Sequence, residues 1–544
     1  MTNKQIAGLF SEMAGLMELH GENEFKIKSY ANAYLNIRKL DAELELLNPE
    51  ELQAFKGVGK TIAEKIIEIS QKASFAALEE MRSKTPEGVR QMLAIKGIGP
   101  KKLIFFWREL GIESPGELLY ACKENRLIAH KGFGPKIQED LIKALEFHQS
   151  QSHLFHHYLL ETEIQEILQE VGQLNPNIQI ELTGTAKRWV PILESLEFIV
   201  SGPITNVPEN LSLQTSDIEK SKGLWKGNIP VYFFYQSFPL SAKNSLMLTG
   251  GSEEFIHFIK PYDRPLENSA SEELFFKEIG HPFVPAECRD LKEFENFDPS
   301  KLIRDEDIKG VIHNHSTYSD GVCSLKEMAK ECIRLGYEYL VISDHSKTAG
   351  YANGLSIERV EMQWREIDQL NIELAPFKIY KSIESDILSD GSLDYPDEIL
   401  AGFDLVIASI HSNLKMNEEK AMMRLLNAVA NPYTRILGHP TGRLLLSRQG
   451  YPVDHMRLID ACADHDVVIE LNANPMRLDL DWNWIDYAQK KGLKIAINPD
   501  AHNLTGIRDI KYGVRAARKG GLLRNNCLNI LNNAEFNAWI LTKK

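Results

Sequence analysis

Cysteine is scarce and scattered: the six cysteines of this 544-residue chain stand apart, with no CxxC pair. This excludes a disulfide framework and a zinc knuckle of clustered thiolates, and it suits reduced thiols in a cytoplasm. No apolar run approaches the roughly 20 residues of a membrane-spanning helix, so no membrane partner is expected. The first residues, MTNKQIAGLF, lack the basic and apolar regions of a secretory signal. Positive charge is not in excess either. The net charge is −14, which gives no sign of nucleic acid and does not argue against it, because binding depends on local patches rather than totals. The remainder, 43% hydrophobic and 25% charged, is an ordinary soluble composition, and the length allows about two to four domains.

What is present is most concentrated after Gly310. The stretch GVIHNHSTYSDG ends a short apolar run in His313 and His315, with Asp320 close behind. Side chains alternate along an extended segment, so imidazoles at i and i+2 are expected to point the same way and reach one metal ion. An HxH alone is weak evidence, but the arrangement recurs. YEYLVISDH closes on Asp344 and His345, FKIYKSIESD carries Glu384, FDLVIASIH ends in His411, TRILGH in His439, and LKIAINPDAH in Asp500 and His502. Helical patterns lie between them, such as SLKEMAKECIRLG, IERVEMQWREIDQLNIEL, NEEKAMMRLLNAVA, DHMRLIDACADH and NWIDYAQKKG. Strand alternating with helix predicts a parallel α/β barrel, since parallel strands need crossovers. In such barrels the carboxyl ends of the strands share one mouth, so groups scattered in sequence converge in space. Any one of them could be an ordinary cap or a satisfied core polar group; six strand ends together make that a poor account. His455 and His465 sit in a helical pattern and are expected at the surface.

These residues carry a resemblance. HNHSTYSDG, ISDHS, the ES of KSIESD, ASIHS, GHPTGR, IELNANPMRLDL and PDAH are similar, in order and from about Ile308 onward, to the motifs of the PHP (polymerase and histidinol phosphatase) domain. The resemblance implies a distorted (βα)7 barrel with up to three divalent metals in its mouth. It assigns ligation to His313, His315, Asp320, His345, Glu384, His411, His439, Asp500 and His502. Glu384 would bridge two ions, and Asp344 would stand behind a ligand and orient its imidazole. Pro499, where a small residue is usual, and Ser382, where glycine is common, remove no ligand. Mixed imidazole and carboxylate donors suit Zn2+ or Mn2+. Closely spaced ions lower the pKa of a bridging water and stabilise both oxygens of an in-line displacement at phosphorus. Glu384 and Asp320 are the expected catalytic carboxylates. Arg443, just after GHPTG, is either a fork for phosphate oxygens or a structural salt bridge.

The amino-terminal part reads differently. Residues 1–50 carry amphipathic helical patterns such as QIAGLFSEMAGLMELHG and FKIKSYANAYLNI. An internal repeat follows. FKGVGKTIAEKIIEI (Gly57, Gly59), IKGIGPKKLIFFW (Gly97, Gly99) and HKGFGPKIQEDLIKAL (Gly132, Gly134) share a K-G-h-G turn before a helix start. Glycines let the backbone turn tightly and approach a ligand closely, and the free N–H groups at the following helix start suit a phosphate. Lys56, Lys60, Lys96, Lys101, Lys102, Lys131 and Lys136 add sequence-independent attraction to a DNA backbone. The three repeats resemble helix-hairpin-helix DNA-binding motifs, and their spacing resembles the lyase and fingers subdomains of family X DNA polymerases. Lys65 stands where that family places its Schiff-base lysine; a solvated helix lysine that helps to hold phosphate is the plainer reading.

Residues from about 150 to 290 are the least transparent. IQIELTGTAKRWVPILESLEFIVSG reads strand, turn, helix, strand and resembles the family X palm, in which a Gly-Ser turn and basic residues precede an Asp-x-Asp. Counted from Gly184, the aspartate positions fall on Ser195 and Glu197, and Thr185 replaces the serine. The strand GNIPVYFFYQS, where the third carboxylate belongs, has none. LTGGSEE (248–254) and FVPAECRD (283–290) resemble later landmarks. Nucleotidyl transfer needs Mg2+ ions held by clustered carboxylates. The palm thus keeps its scaffold without a place for Mg2+, and templated synthesis is expected to be absent or very weak.

These readings predict a helical lyase-like domain with a helix-hairpin-helix over 1–85, a fingers-like helix-hairpin-helix region over 86–150, a degenerate palm and thumb over 151–290, a polar linker over 291–308, and a PHP metallo-phosphoesterase domain over 309–544. The fold class is multidomain: an all-α amino-terminal region, an α/β palm-like middle and a distorted (βα)7 barrel. The expected activity is metal-dependent removal of nucleotides from a DNA 3′ end, as a 3′-5′ exonuclease in DNA repair, on gapped DNA or a free 3′ end. Two expectations compete with it: an active family X repair polymerase with proofreading, and a DNA-binding scaffold whose barrel acts on small phosphomonoesters.

Overall fold

The computed structural model describes residues 1–542 except 41, 129, 151–152, 218, 237–244, 247–249, 261–270 and 295–296. The chain divides into two units. One holds Met1–Lys123 and His130–His148; the other holds Glu124–Ala129 and Gln149–Lys544.

The first unit is helical, as its sequence patterns predict. Its helices are α1 (Asn3–Leu19), α2 (Glu24–Ile37), α3 (Pro49–Gln53), α4 (Lys60–Lys72), α5 (Ala76–Ser83), α6 (Glu87–Ala94), α7 (Pro100–Ile104), α8 (Pro115–Lys123) and α9 (Pro135–Ser150). Thr2 and Gln5 cap the start of α1 reciprocally. The three K-G-h-G turns share one backbone. Gly57, Gly97 and Gly132 have φ of +86°, +95° and +97°, a region open to glycine at little cost. The residue between the glycines is buried in each case, at 3% exposure for Val58, 3% for Ile98 and 7% for Phe133. Its N–H donates to the carbonyl three residues earlier, at 3.1 Å in all three. A helix follows at once: α4, α7 or α9.

In the second unit α10 (Glu161–Leu174) precedes a five-stranded sheet of β1 (Ile180–Thr183), β2 (Leu196–Val200), β3 (Leu211–Ser216), β4 (Lys220–Trp225) and β5 (Ile229–Tyr235). The order is β1-β2-β5-β4-β3, parallel only between β2 and β5. Ile164, Ile167 and Val171 of α10 share a core with Phe198, Trp225, Val231 and Phe233.

The carboxyl-terminal part is the expected barrel. Its strands are β6 (Gly310–Asn314), β7 (Tyr339–Ile342), β8 (Lys378–Asp386), β9 (Leu405–Ser409), β10 (Thr434–Leu437), β11 (Val468–Asn472) and β12 (Ile495–Asn498). They pair in sequence order, all parallel. Side chains on both faces are buried, as a parallel sheet covered by helices requires. The crossovers include α11 (Leu325–Arg334), α12 (Ile357–Glu373), α13 (Glu418–Ala430) and α14 (His455–Asp464), started by Ser324, Ser356, Asn417 and Asp454 as side-chain caps. The barrel nearly closes. Past the ends of β6 and β12 the His315 N–H donates to the Ala501 carbonyl at 2.9 Å, and Asn529 Nδ2 spans the carbonyls of Gly310 and Ile497 at 3.3 and 2.8 Å.

The polar stretch 291–308, expected as a linker, packs on the barrel along part of its length. Leu302 and Ile303 are buried at 1% and 0% exposure, and the Ile303 N–H donates to the Leu522 carbonyl at 3.1 Å. The sheet and the barrel meet along α15 (Ile510–Lys519), where the buried Lys519 ammonium reaches the Arg188 carbonyl at 3.1 Å and the Asp290 carboxylate. Among the described residues, no helix is long and apolar enough to cross a membrane.

Candidate metal centre

The strand ends of the barrel bring the nine expected ligands to one buried mouth. Glu384, on β8, stands at its middle. Its Oε1 lies 3.3 Å from His313 Nε2, 3.0 Å from His411 Nε2 and 2.9 Å from His439 Nε2. Its Oε2 lies 2.9 Å from His345 Nδ1 and 3.8 Å from His315 Nε2. Asp500 Oδ1 lies 3.0 Å from His315 Nε2 and 3.7 Å from His313 Nε2. Asp320 joins His345 at 3.4 Å and His502 at 3.3 Å. Four overlapping groups therefore each gather donor atoms within 4.8 Å of one another: His315, Asp320, His345 and His502; His313, His315 and Asp500; His345, Glu384 and His411; and Glu124, Asp500 and His502.

The HxH pair converges by a different route from simple alternation. His313 has φ of +62°, and the register of β6 shifts between Val311 and Asn314. A bulge of this kind re-aims a side chain. Asp500 is left-handed too, at φ +53°. Such residues persist only where the surroundings over-determine them, and they cluster at functional sites.

Burial opposes charge on every imidazole here, but at most of them the carboxylates win. Glu470, Asp500 and Glu384 hold His313 well above its ordinary value, and Asp320 and Glu384 push His345 up to about 10. His315, buried beside His502 and His345, is pulled down to about 3. Burial also lowers His439, helped by Arg477. Burial works against charge on Glu384 as well, yet His411, His313 and His345 hold it well below the carboxylate range. The mouth is a sealed, mutually polarised set of anions and imidazoles.

The residues present fit divalent cations. His313 Nε2, Asp320 Oδ2, Glu384 Oε2, His502 Nε2 and both ring nitrogens of His345 are sealed from water yet make no well-directed hydrogen bond among the described residues. Buried polar atoms are rarely left so, and imidazole nitrogens and carboxylate oxygens are the donor set for such ions.

One expected role is corrected, and for a second residue the contacts match one of its two expected roles. Asp344 orients no imidazole. It accepts from Ser316 N–H at 2.8 Å, Ser316 Oγ at 2.6 Å, Ser319 N–H at 3.1 Å and Gln363 Nε2 at 2.6 Å. It thereby fixes the loop that presents Asp320. The Arg443 guanidinium donates to the Arg477 carbonyl at 3.1 Å, to the Leu478 carbonyl and to Asp481, the contacts of the structural salt bridge that was the second of its two expected roles. The residues behind the ligands are ones the sequence reading missed. Glu470 Oε2 stands 2.6 Å from His313 Nδ1, and Asp386 Oδ1 stands 2.5 Å from His411 Nδ1. Both lie on barrel strands, Asp386 two residues after Glu384, and that inward spacing was the available signal. Glu124 stands against His502 Nδ1, and no local pattern marks it.

In the palm-like sheet Ser195 precedes β2 and Glu197 lies on it. Glu197 turns back onto the Gly184 turn and accepts from Thr185 N–H at 3.2 Å. A Cβ on Gly184 would sit 1.3 Å from its Oε2. Lys187 and Arg188 are ion-paired with Glu272 at 2.7 Å and Asp290 at 3.0 Å. Of LTGGSEE, Leu248 and Thr249 lie outside the described residues. In the first unit Gly59, Gly99 and Gly134 open α4, α7 and α9, with Lys60, Lys101, Lys102 and Lys136 in the first turns. The Lys65 ammonium lies 5.1 Å from the Phe75 ring centroid, which fits a helix lysine packed on an aromatic face.

Comparison with known proteins agrees with this arrangement. The family model for a helix-hairpin-helix domain matches residues 1–75, that for a SAM-like helix-hairpin-helix tandem matches 89–146, and that for the PHP domain matches 312–474. A probable phosphatase of Thermoanaerobacter sp. (strain X514) is 27% identical over 40% of this chain and 88% of its own length. A probable phosphatase of Acetivibrio thermocellus is 30% identical over 35% of this chain and 78% of its own. The DNA polymerase/3′-5′ exonuclease PolX of Bacillus subtilis (strain 168) is 33% identical across 99% of both chains. With its helix-hairpin-helix region, α/β middle and metal-dependent hydrolase barrel all in place, the chain belongs to the PolX family of enzymes.

Proposed function

We propose that this chain binds DNA through its three hairpins and hydrolyses phosphodiesters at a DNA 3′ end in its barrel, as a 3′-5′ exonuclease of DNA repair in the cytoplasm. The observation that carries this reading is the single buried mouth in which Glu384, Asp320 and Asp500 meet six imidazoles. His313, His315, Asp320, His345, Glu384, His411, His439, Asp500 and His502 would hold up to three ions, Zn2+ or Mn2+, with Glu384 shared between two. Bound divalent cations supply Lewis acidity, a more acidic water and charge neutralisation at phosphorus. The protein's part is geometric: Glu470 and Asp386 fix two imidazoles, Asp344 fixes the Asp320 loop, and burial excludes bulk water. The domain bounds given above from the sequence are proposed unchanged.

The hairpins suit a phosphate backbone. Gly59 and Gly99 have extended, negative φ, and no atom lies within 4 Å of where a Cβ would stand on them. The chain itself does not demand glycine there, whereas a backbone pressed against the helix start would. We further propose that nucleotidyl transfer is lost. Ser195 carries no charge, Glu197 occupies the turn that would receive a triphosphate, and Lys187 and Arg188 are neutralised by Glu272 and Asp290.

Two readings compete. The relative named as a polymerase and exonuclease favours retained synthesis; robust primer extension on gapped DNA with Mg2+ or Mn2+ would establish it. The relatives named as probable phosphatases favour small phosphomonoesters; faster turnover of a phosphomonoester than of a 3′-labelled oligonucleotide would support that. The decisive variant joins His313→Ala and His315→Ala. It should abolish cutting and leave DNA affinity nearly intact, and cutting that survives means that the barrel is not the nuclease.

A further inference from the structure

Carboxylates hold the imidazoles of this mouth from behind. His313 turns Nε2 inward and leaves Nδ1 to Glu470, and His411 turns Nε2 to Glu384 and leaves Nδ1 to Asp386. His502 repeats the pattern. Its Nε2 faces Asp320 at 3.3 Å, while its Nδ1 lies 2.9 Å from the Asp500 carbonyl and in ion-pair contact with Glu124 Oε2, an oxygen with no other well-directed hydrogen bond among the described residues. Glu124 belongs to none of the barrel's strands or connections. It follows α8 in sequence, in the short segment that groups with the second unit. It is 5% exposed, and its Oε1 accepts from Asn474 Nδ2 at 3.1 Å. Two residues on, the Arg126 guanidinium lies 5.1 Å from the Tyr351 ring centroid, and that ring lies 6.0 Å from His345. A carboxylate shut away from water is costly unless it has partners, and both partners of Glu124 stand at the metal mouth.

We infer that Glu124 is a positioning residue of the metal centre. Together with the Asp500 carbonyl, its carboxylate keeps His502 with Nε2 toward the place that His502 shares with Asp320, His345 and His315, from the side that Glu470 and Asp386 take behind His313 and His411. This rests on the metal reading of the barrel. A carboxylate behind a ligand imidazole fixes the ring's tautomer and orientation and raises its basicity, and its loss costs about 10–100-fold in metal affinity or activity.

The test uses the full-length chain. Mn2+ binding is titrated calorimetrically for the parent, Glu124→Gln and Glu124→Ala, with thermal melting and DNA affinity measured on the same samples. The isosteric Glu124→Gln should melt with the parent and weaken its most labile Mn2+ step by about 10-fold, and Glu124→Ala should approach about 100-fold. DNA affinity should not change, and excess Mn2+ should restore hydrolysis. Unchanged Mn2+ affinity in Glu124→Gln overturns the inference and leaves the metal centre standing. A loss that comes with lower melting in both variants, and that excess Mn2+ does not restore, also overturns it, because the contact is then merely structural. A metal-stripped parent that takes up neither Mn2+ nor Zn2+ removes both readings. If Glu124→Ala fails to fold, Glu124→Gln decides alone.

Discussion

Replacing Glu384 by glutamine is the sharpest perturbation of this site. The substitution keeps the side chain's shape and removes one charge at the point where five imidazoles come within 2.9 to 3.8 Å of its two oxygens. One oxygen becomes an NH2 group, which presents hydrogens where a cation needs a lone pair. Loss of a residue that merely supports a ligand costs about 10–100-fold. Glu384 faces two groups of ligands at once, so its loss should exceed the upper end of that range. A drop of more than about 100-fold corresponds to at least about 2.7 kcal/mol of lost transition-state stabilisation. The assay is the initial rate of release from a 3′-labelled oligonucleotide at saturating Mn2+, with metal content and DNA anisotropy measured on the same preparation. Metal content should fall, hydrolysis should nearly vanish, and DNA affinity should stay where it was. A Glu384→Gln chain that keeps more than about a tenth of the rate, within about 1.4 kcal/mol of the parent, refutes the assignment of hydrolysis to this mouth.

Three further outcomes follow from the geometry. Gly99→Ala and Gly134→Ala should leave the fold intact or firm it by about 0.4–1 kcal/mol while weakening DNA binding; Gly97→Ala, at φ +95°, should destabilise by about 1–2 kcal/mol, and equal melting of the two classes would contradict this. Arg443→Ala should lower the melting temperature by the equivalent of about 1–3 kcal/mol, since it strips partners from Asp481 and two carbonyls, with the turnover of folded enzyme unchanged; a turnover loss at unchanged stability would restore the phosphate-fork role. Burial pushes Glu272 up, but Arg289 and Lys187 outweigh it and hold Glu272 below the usual carboxylate range. Its stabilisation is therefore complete above about pH 4.3, its unfolded value, and is lost as pH falls through the lower folded value. Glu272→Gln, which leaves the fully buried Arg289 with carbonyl partners but no carboxylate, should cost about 3–5 kcal/mol at pH 7, with the gap in urea midpoints closing on acidification; a gap independent of pH would show that the pair is not the source.

Much of the barrel was legible because the rule that places its ligands is local. A strand end carries its residue to the mouth whatever the rest of the chain does, so His345, Glu384, His411, His439 and Asp500 could be read in place. The hairpins were legible for the same reason, because a left-handed glycine beside a helix start is a feature of four or five residues. What stayed hidden depends on reach between distant segments. Glu470 finds His313 across 157 positions, and Glu124 reaches Asn474 across 350; nothing near either residue announces its partner. Asp344 shows the converse error: it stands beside a ligand motif and turns its side chain away to a serine-rich loop. Arg443, left open between two roles, has contacts that match the structural one. The bulge at His313 was invisible as well, since an HxH reads the same whether the strand is regular or not.

That bulge has a mechanical consequence. The left-handed residues His313 and Asp500 flank the gap where the first and last strands of the barrel meet, and few main-chain bonds cross it there. His313 and His315 lie on one side of the gap and Asp500 on the other. By gripping a common cation they would rivet the two rims together, so a chelator should slacken the cylinder at this one line, and faster amide exchange along β6 and β12 would register the slackening before any substrate was added.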